Sequence, residues 1–228
     1  MDVGADVHER IAALARELHG SPRDEAAVVS EVVKHAVQEI PGAEYAGITL
    51  THHGHRVETL TSTHEIPQIL DDIQQRHMEG PCLSATWLND AVLLDDMETD
   101  PRWPNYCRDA LRETPIRAVL SFRLFTSDTT LGALNVYSRC KHAFDGAAEE
   151  IGYVLATHAA LAWDSVRLGD QFRSALASRD VIGQAKGVIM ERFNVDAVAA
   201  FDLLKRLSQD TNVPLAQIAR RLIASGRG

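Results

Sequence analysis

The sequence predicts an α+β fold: an antiparallel sheet of about five strands with helices packed on it, then a long connecting helix and a three-helix tail. Three observations carry this. Apolar residues recur at helical spacing up to residue 40 and at strand spacing soon after it. RAVLSFRLF and LGALNVYSR bracket the polar turn SDTT, a hairpin signal. From Asp145 onward strand signals stop, and Val154, Leu161, Leu168, Ala175 and Ile182 recur every seven residues. Such a heptad row marks a long helix that pairs with another; a helix lying on its own domain's sheet is the plainer reading, and the first turns suit it.

In chain order, residues 6–19 place Val7, Ile11, Leu14 and Leu18 on one helical face, and Ser21-Pro22 interrupts. A second helix runs from about Arg23 to Ile40 on a stripe of Ala27, Val28, Val32, Val33, Ala36 and Val37, and Pro41-Gly42 ends it. AEYAGITLTHHG and HRVETLTST read as two strands turning at Gly54. EIPQILDDIQQR returns to helical spacing, DAVLLDD holds a short strand, and RWPNYCRDALRE reads as a short helix. In the tail, Asp196 is a good N-cap for a helix expected to bury Val198, Phe201 and Leu204. Pro214 opens a last amphipathic helix with Leu215, Ile218, Ala219, Leu222 and Ile223 on one face, and Gly226 closes it.

The chain has 228 residues, 45% hydrophobic and 24% charged, which fits a globular protein. No apolar run approaches the roughly 20 residues a membrane-crossing helix needs, and the N-terminus has no signal-peptide core. A cytoplasmic location with no membrane partner is expected. Cys82, Cys107 and Cys140 are far apart, which indicates neither a disulfide framework nor a zinc knuckle. The net charge of −9 is uneven: residues 170–228 carry 9 basic and 6 acidic residues, behind an acidic body.

Candidate sites in the front part are few. His52, His53, His55, His64 and His77 form a histidine-rich region, but no Cys or carboxylate stands at ligand spacing, so solvated histidines and no metal are expected. Cys82 in EGPCLSA, at a helix N-terminus, would gain thiolate character and suit a redox sensor; a small buried residue is the preferred reading. Trp87, Trp103, Tyr106 and Phe122 either line a ligand pocket between sheet and helices or fill the core. No GxSxG, HExxH or P-loop is present, so no enzyme and no cofactor are expected.

The tail carries SRxxIxQAKGVIM (from Ser178), then AFxLLKRLSQxTN, then LxxIA. Over about residues 170–225 it resembles the ANTAR domain, an RNA-binding module of bacterial transcription antiterminators. The front, about residues 6–165, resembles a GAF domain, a sensory fold, on its two N-terminal helices, its strand order and MEGPCLSATW (78–87). A connecting and dimerising helix over 147–193, with Val154, Leu161, Leu168 and Phe172 at the seam, would join them. The resemblance implies a homodimer that binds paired RNA hairpins in nascent transcripts and so lets transcription pass a terminator. It also implies a front domain that responds to an unidentified small-molecule signal or to dimer formation.

The RNA surface then expected is Lys186 with Ala185 and Gly187, whose small side chains let phosphate and sugar approach, plus Gln184 for a base edge and Arg179 seven residues before Lys186. Lys205, Arg206, Ser208, Thr211, Asn212 and Arg220 add to it from the following helices. Ala185 and Gly187 serving packing, and Ser208 serving a turn, remain open. Val213-Pro214 stand where the family often has basic residues after the Asn. Two rival readings also stay open: a small-molecule or redox sensor whose helical tail only dimerises, and a DNA-binding regulator.

Overall fold

A computed structural model describes residues 24–52, 56–87, 90–126 and 130–225. The expected helix at 6–19, the turn at Gly54, and His53 and His55 lie outside the described residues, as do the side chains of His52 and Trp87. The chain divides into two compact units, one ending at Val166 and one beginning at Arg167.

In the first unit α1 spans Glu25–Glu39. The Asp24 carboxylate accepts from the Ala27 amide at 2.7 Å, satisfying one of the free N–H groups of the helix start. Val28, Val29, Val32, Val33 and Ala36 form its buried stripe. β1 (Tyr45–His52) and β2 (Arg56–Ser62) follow. Next come α2 (Ile66–His77), α3 (Pro81–Trp87), β3 (Ala91–Leu94) and α4 (Pro104–Glu113). β4 (Ala118–Phe125) and β5 (Thr130–Ser138) form the hairpin. The five strands make one antiparallel sheet in the order β2-β1-β5-β4-β3.

Strand alternation divides the core in two. One face turns Ala46, Ile48, Leu120, Phe122, Leu134 and Val136 toward α1 and the start of α5, the helix Gly146–Phe193. The other turns Val92, Leu94, Val119 and Tyr137 toward Ile66, Leu70 and Ile73 of α2 and Tyr106, Cys107 and Ala110 of α4. α5 starts at Asp145, whose carboxylate accepts from the Ala148 amide at 2.9 Å. Its first turns lie on the sheet through Leu155, Ala156, Ala159, Ala160 and Trp163. A Cβ at Gly152 would meet the Phe122 ring at 2.1 Å, so this close approach requires glycine.

The second unit holds the rest of α5 with α6 (Ala197–Thr211) and α7 (Leu215–Ser225). Its small core is Ala185 and Ile189 of α5, Ala200 and Leu204 of α6, and Ile218 and Ala219 of α7. Asp196 caps α6, accepting from the amides of Val198 and Ala199 at 3.0 and 2.8 Å. Asn194 and Asn212 take left-handed backbone angles at the two turns (φ 50 and 52), a conformation Asn tolerates better than most residues.

Three sequence expectations are corrected here. Tyr106 and Trp103 belong to one core and Phe122 to the other, on the opposite sheet face, so these aromatic residues line no common pocket. The heptad row does not run as one seam: Ile182 turns inward onto the second unit's core, while Leu161 and Leu168 are 48% and 55% exposed. Finally, α6 buries Leu204 but leaves Val198 70% and Phe201 39% exposed, because one helix face is all that so small a core can cover.

A candidate nucleic-acid interface on the helical unit

The burial of Ala185 fixes the rotation of α5 in this unit. Ala185 is fully buried against α6 and α7, so its role is packing; the expected RNA contact there is corrected. Each residue turns a helix by about 100°. Lys186 and Gln184 therefore leave Ala185 on opposite flanks, and the expected single surface holding both does not form. Lys186 is half-buried and Gln184 exposed.

Arg179 stays with Lys186. Seven residues make two turns to within about 20°, so Arg179, Lys186 and Phe193 share one stripe, and Arg179 and Phe193 are exposed. Gly183 and Gly187 are exposed, four residues apart, on the side away from Ala185. A Cβ at either would meet nothing within 4 Å. The fold itself therefore does not require glycine at these positions, although each costs about 1 kcal/mol in a helix.

On α6 the residues divide between building and display. The Ser208 hydroxyl donates to the Val213 carbonyl at 2.6 Å and staples the turn into α7. Thr211 donates to the Leu207 carbonyl at 2.6 Å, and the Asn212 amide closes the helix on Ser208 and Gln209 carbonyls. Lys205, Arg206 and Arg220 are exposed.

The sheet-side candidates behave as core. Cys82 is the second residue of α3, yet it is fully buried, and burial first, then the nearby Asp71 charge, push its thiol up. Any activation by the helix terminus is thereby outweighed. His77 pairs with Asp109 at 2.8 Å, and the His64 ring lies tilted against Tyr45, 5.2 Å between centroids. Among the described residues no cluster of His, Cys, Asp and Glu could hold a metal ion.

Sequence reasoning missed Asp71. It is 2% exposed and accepts from Thr49 at 2.7 Å, Thr59 at 2.6 Å and Gln74 at 3.1 Å. Gln74 also accepts from the Cys82 amide at 3.0 Å, so two strands, α2 and α3 are tied through one carboxylate. An acid in the helical pattern of EIPQILDDIQQR gave no signal of being buried. A cleft of about 350 Å³ opens elsewhere, lined by Glu25, Ala26, Val29, Leu60 and Thr61; Trp103, Tyr106 and Phe122 are not among these residues.

A sheet-centred α+β domain followed by a small three-helix unit is the class of protein that the fold defines. The GAF domain model matches residues 22–164 and the ANTAR domain model residues 170–223. The chain belongs to the GAF domain family and carries an ANTAR domain behind it, which joins a sensor domain to an RNA-binding antitermination domain. No curated protein matches the sequence.

Among solved structures, the GAF domain of a phosphoenolpyruvate-protein phosphotransferase from Coxiella burnetii is similar at 16% identity and TM-score 0.59, over 75% of this chain and 99% of that one. A free methionine-R-sulfoxide reductase from Neisseria meningitidis matches at 15% identity and TM-score 0.55, over 74% and 95% of the two chains. The chromophore-binding domain of a bacteriophytochrome from R. palustris matches at 10% and 0.56, over 71% and 63%. At such identities these likenesses concern the fold alone. No helix among the described residues is long and apolar enough to cross a membrane.

Proposed function

We propose that the chain is a signal-responsive antiterminator of the bacterial cytoplasm that binds paired RNA stem-loops as a homodimer and has no catalytic role. The observation that carries this reading is the α5 stripe: Arg179 and Lys186 beside Gly183 and Gly187, whose missing side chains the fold does not use. A low cationic surface suits a phosphate backbone that must come close. Gly187, Lys205, Arg206, Thr211, Asn212 and Arg220 extend the proposed contact, with Gln184 reaching RNA from the other flank. Ser208 supports it through the α6–α7 turn.

The switch is mechanical. A small-molecule signal at the front domain changes how two copies pair through Val154, Leu161, Leu168 and Phe172. α5 carries that change to the two tails. Two tails on two loops raise each other's effective concentration, so geometry alone sets affinity.

The test is binding of purified wild type and Lys186→Ala to a tandem-hairpin RNA across a salt series, with duplex DNA as competitor. Removing one phosphate contact should weaken binding to all loop sequences and lower the salt slope by about 1, with unchanged helical circular dichroism. No hairpin binding by wild type would leave the dimerising sensor as the better reading. Stronger competition by duplex DNA would favour the DNA-binding one.

A further inference from the structure

Two strongly exposed apolar side chains of the helical unit flank one turn. Phe193 ends α5 and is 65% exposed; Val198, in the first turn of α6, is 70% exposed. Only Asn194, Val195 and Asp196 separate the helices. Packing does not account for either side chain, since the core is built from Ala185, Ile189, Ala200, Leu204, Ile218 and Ala219 and includes neither. Phe193 repeats the Arg179–Lys186 spacing, so its ring lies on the cationic stripe about 10 Å beyond Lys186 along the helix. Phe201, one turn before Lys205 on α6, adds a second exposed ring next to a cation.

We propose that Phe193 is a stacking platform for an unpaired nucleobase of the RNA, with Lys186 and Arg179 holding the phosphates that lead to it. The proposal rests on the RNA-binding reading above. It commits to RNA over another protein because of charge: Arg179, Lys186 and Lys205 have no carboxylate partner among the described residues, and Asp196, the acid in the turn, is engaged by the Val198 and Ala199 amides, so the cations along the two helices are left unpaired. An anionic strand that carries flat rings matches both features at once. Base faces stack on exposed aromatic side chains in a way that tolerates sequence. Val198 would close the edge of the stacked base.

The experiment uses the full chain and three probes: a tandem hairpin with six-base loops, the same stems with abasic sites placed singly in the loops, and a blunt duplex RNA of equal length. Anisotropy titrations compare wild type, Lys186→Ala, Phe193→Ala, Phe193→Leu and Phe193→Tyr, with sedimentation of each. Phe193→Ala should weaken hairpin binding by about tenfold. Leucine should lose as much, and tyrosine should stay close to wild type. At one loop position the abasic probe should cost wild type the same factor and cost Phe193→Ala nothing more, the signature of a single shared contact. The blunt duplex should not distinguish the Phe193 variants from wild type.

If Lys186→Ala weakens binding while Phe193→Ala does not, the stacking proposal fails alone and the RNA reading stands. Full affinity in Phe193→Leu overturns the proposal too, since any apolar side chain then suffices. A change of oligomeric state in Phe193→Ala would assign the ring to contact between copies and overturn it as well. If wild type binds no hairpin, the RNA reading falls and takes this proposal with it.

Discussion

The Thr49 hydroxyl donates to the Asp71 carboxylate at 2.7 Å, across a pair of residues that have almost no contact with solvent. Asn135 donates in turn to the Thr49 oxygen at 2.9 Å, so β5, β1 and α2 share one hydrogen-bonded line through the second core of the sheet. A buried acid held only by neutral donors is an energetic liability as well as a link.

That liability has a sign. Burial raises the Asp71 carboxyl from an ordinary 3.8 to about 6, against the lowering by Thr59, Thr49 and Gln74. The folded state therefore holds its proton more tightly than the unfolded chain does. The cost of the charge is absent below pH about 4, grows through the window up to about 6, and is complete above it, on the order of 3 kcal/mol. Asp109 acts oppositely at lower pH, since its hydrogen bond with His77 holds its carboxyl down at about 2. Calorimetric melting of wild type and Asp71→Asn from pH 4 to 7 isolates the first effect. Wild type should lose stability relative to the variant as pH rises; parallel curves would show that Asp71 does not titrate in this window.

Ala185 and Gly187 should respond to enlargement in opposite directions. Ala185→Leu forces a side chain into a full core and should cost about 1–3 kcal/mol in the helical unit. Gly187→Ala adds a Cβ in open space and should gain up to about 1 kcal/mol. The same Gly187→Ala change should weaken hairpin RNA binding, because the added methyl stands where a backbone must approach. Denaturant melts and anisotropy titrations check the two halves separately.

Leu168 is 55% exposed on α5, and Phe172 one turn later is 66% exposed. If these side chains meet a second copy, Leu168→Asp places a charge in that seam and should shift the protein toward monomer in sedimentation. An oligomer insensitive to this change would place the pairing surface elsewhere.

The three thiols should separate by accessibility. Cys140 is exposed, whereas Cys82 and Cys107 are buried. Burial pushes the Cys107 thiol up to about 11 and the Cys82 thiol higher still. A thiol reagent at pH 8 should label one cysteine of the native protein and three after unfolding. Rapid native labelling of Cys82 would reopen the redox-sensor reading.

Much of this was legible before any coordinates. β4 and β5 pair antiparallel as expected, and α6 starts at the cap that Asp196 announces. Local chemistry decides such features: a cap needs only its own first turn, and a hairpin only its own loop. The candidate site was half legible. Spacing alone placed Arg179 with Lys186, but not Gln184 on the other flank or Ala185 in the core.

The sequence by itself determined which elements form, where they stop and which residues repeat along a face, because periodicity and end signals are written in neighbouring residues. Tertiary structure alone decided the absolute rotation of each face. It set Phe122 on one side of the sheet and Tyr106 on the other, buried Asp71 among hydroxyls, and turned Ile182 inward while leaving Phe193 and Val198 bare. The reason is that a helix or strand carries several apolar residues on more than one side, and only the partners available to cover them choose which side is buried.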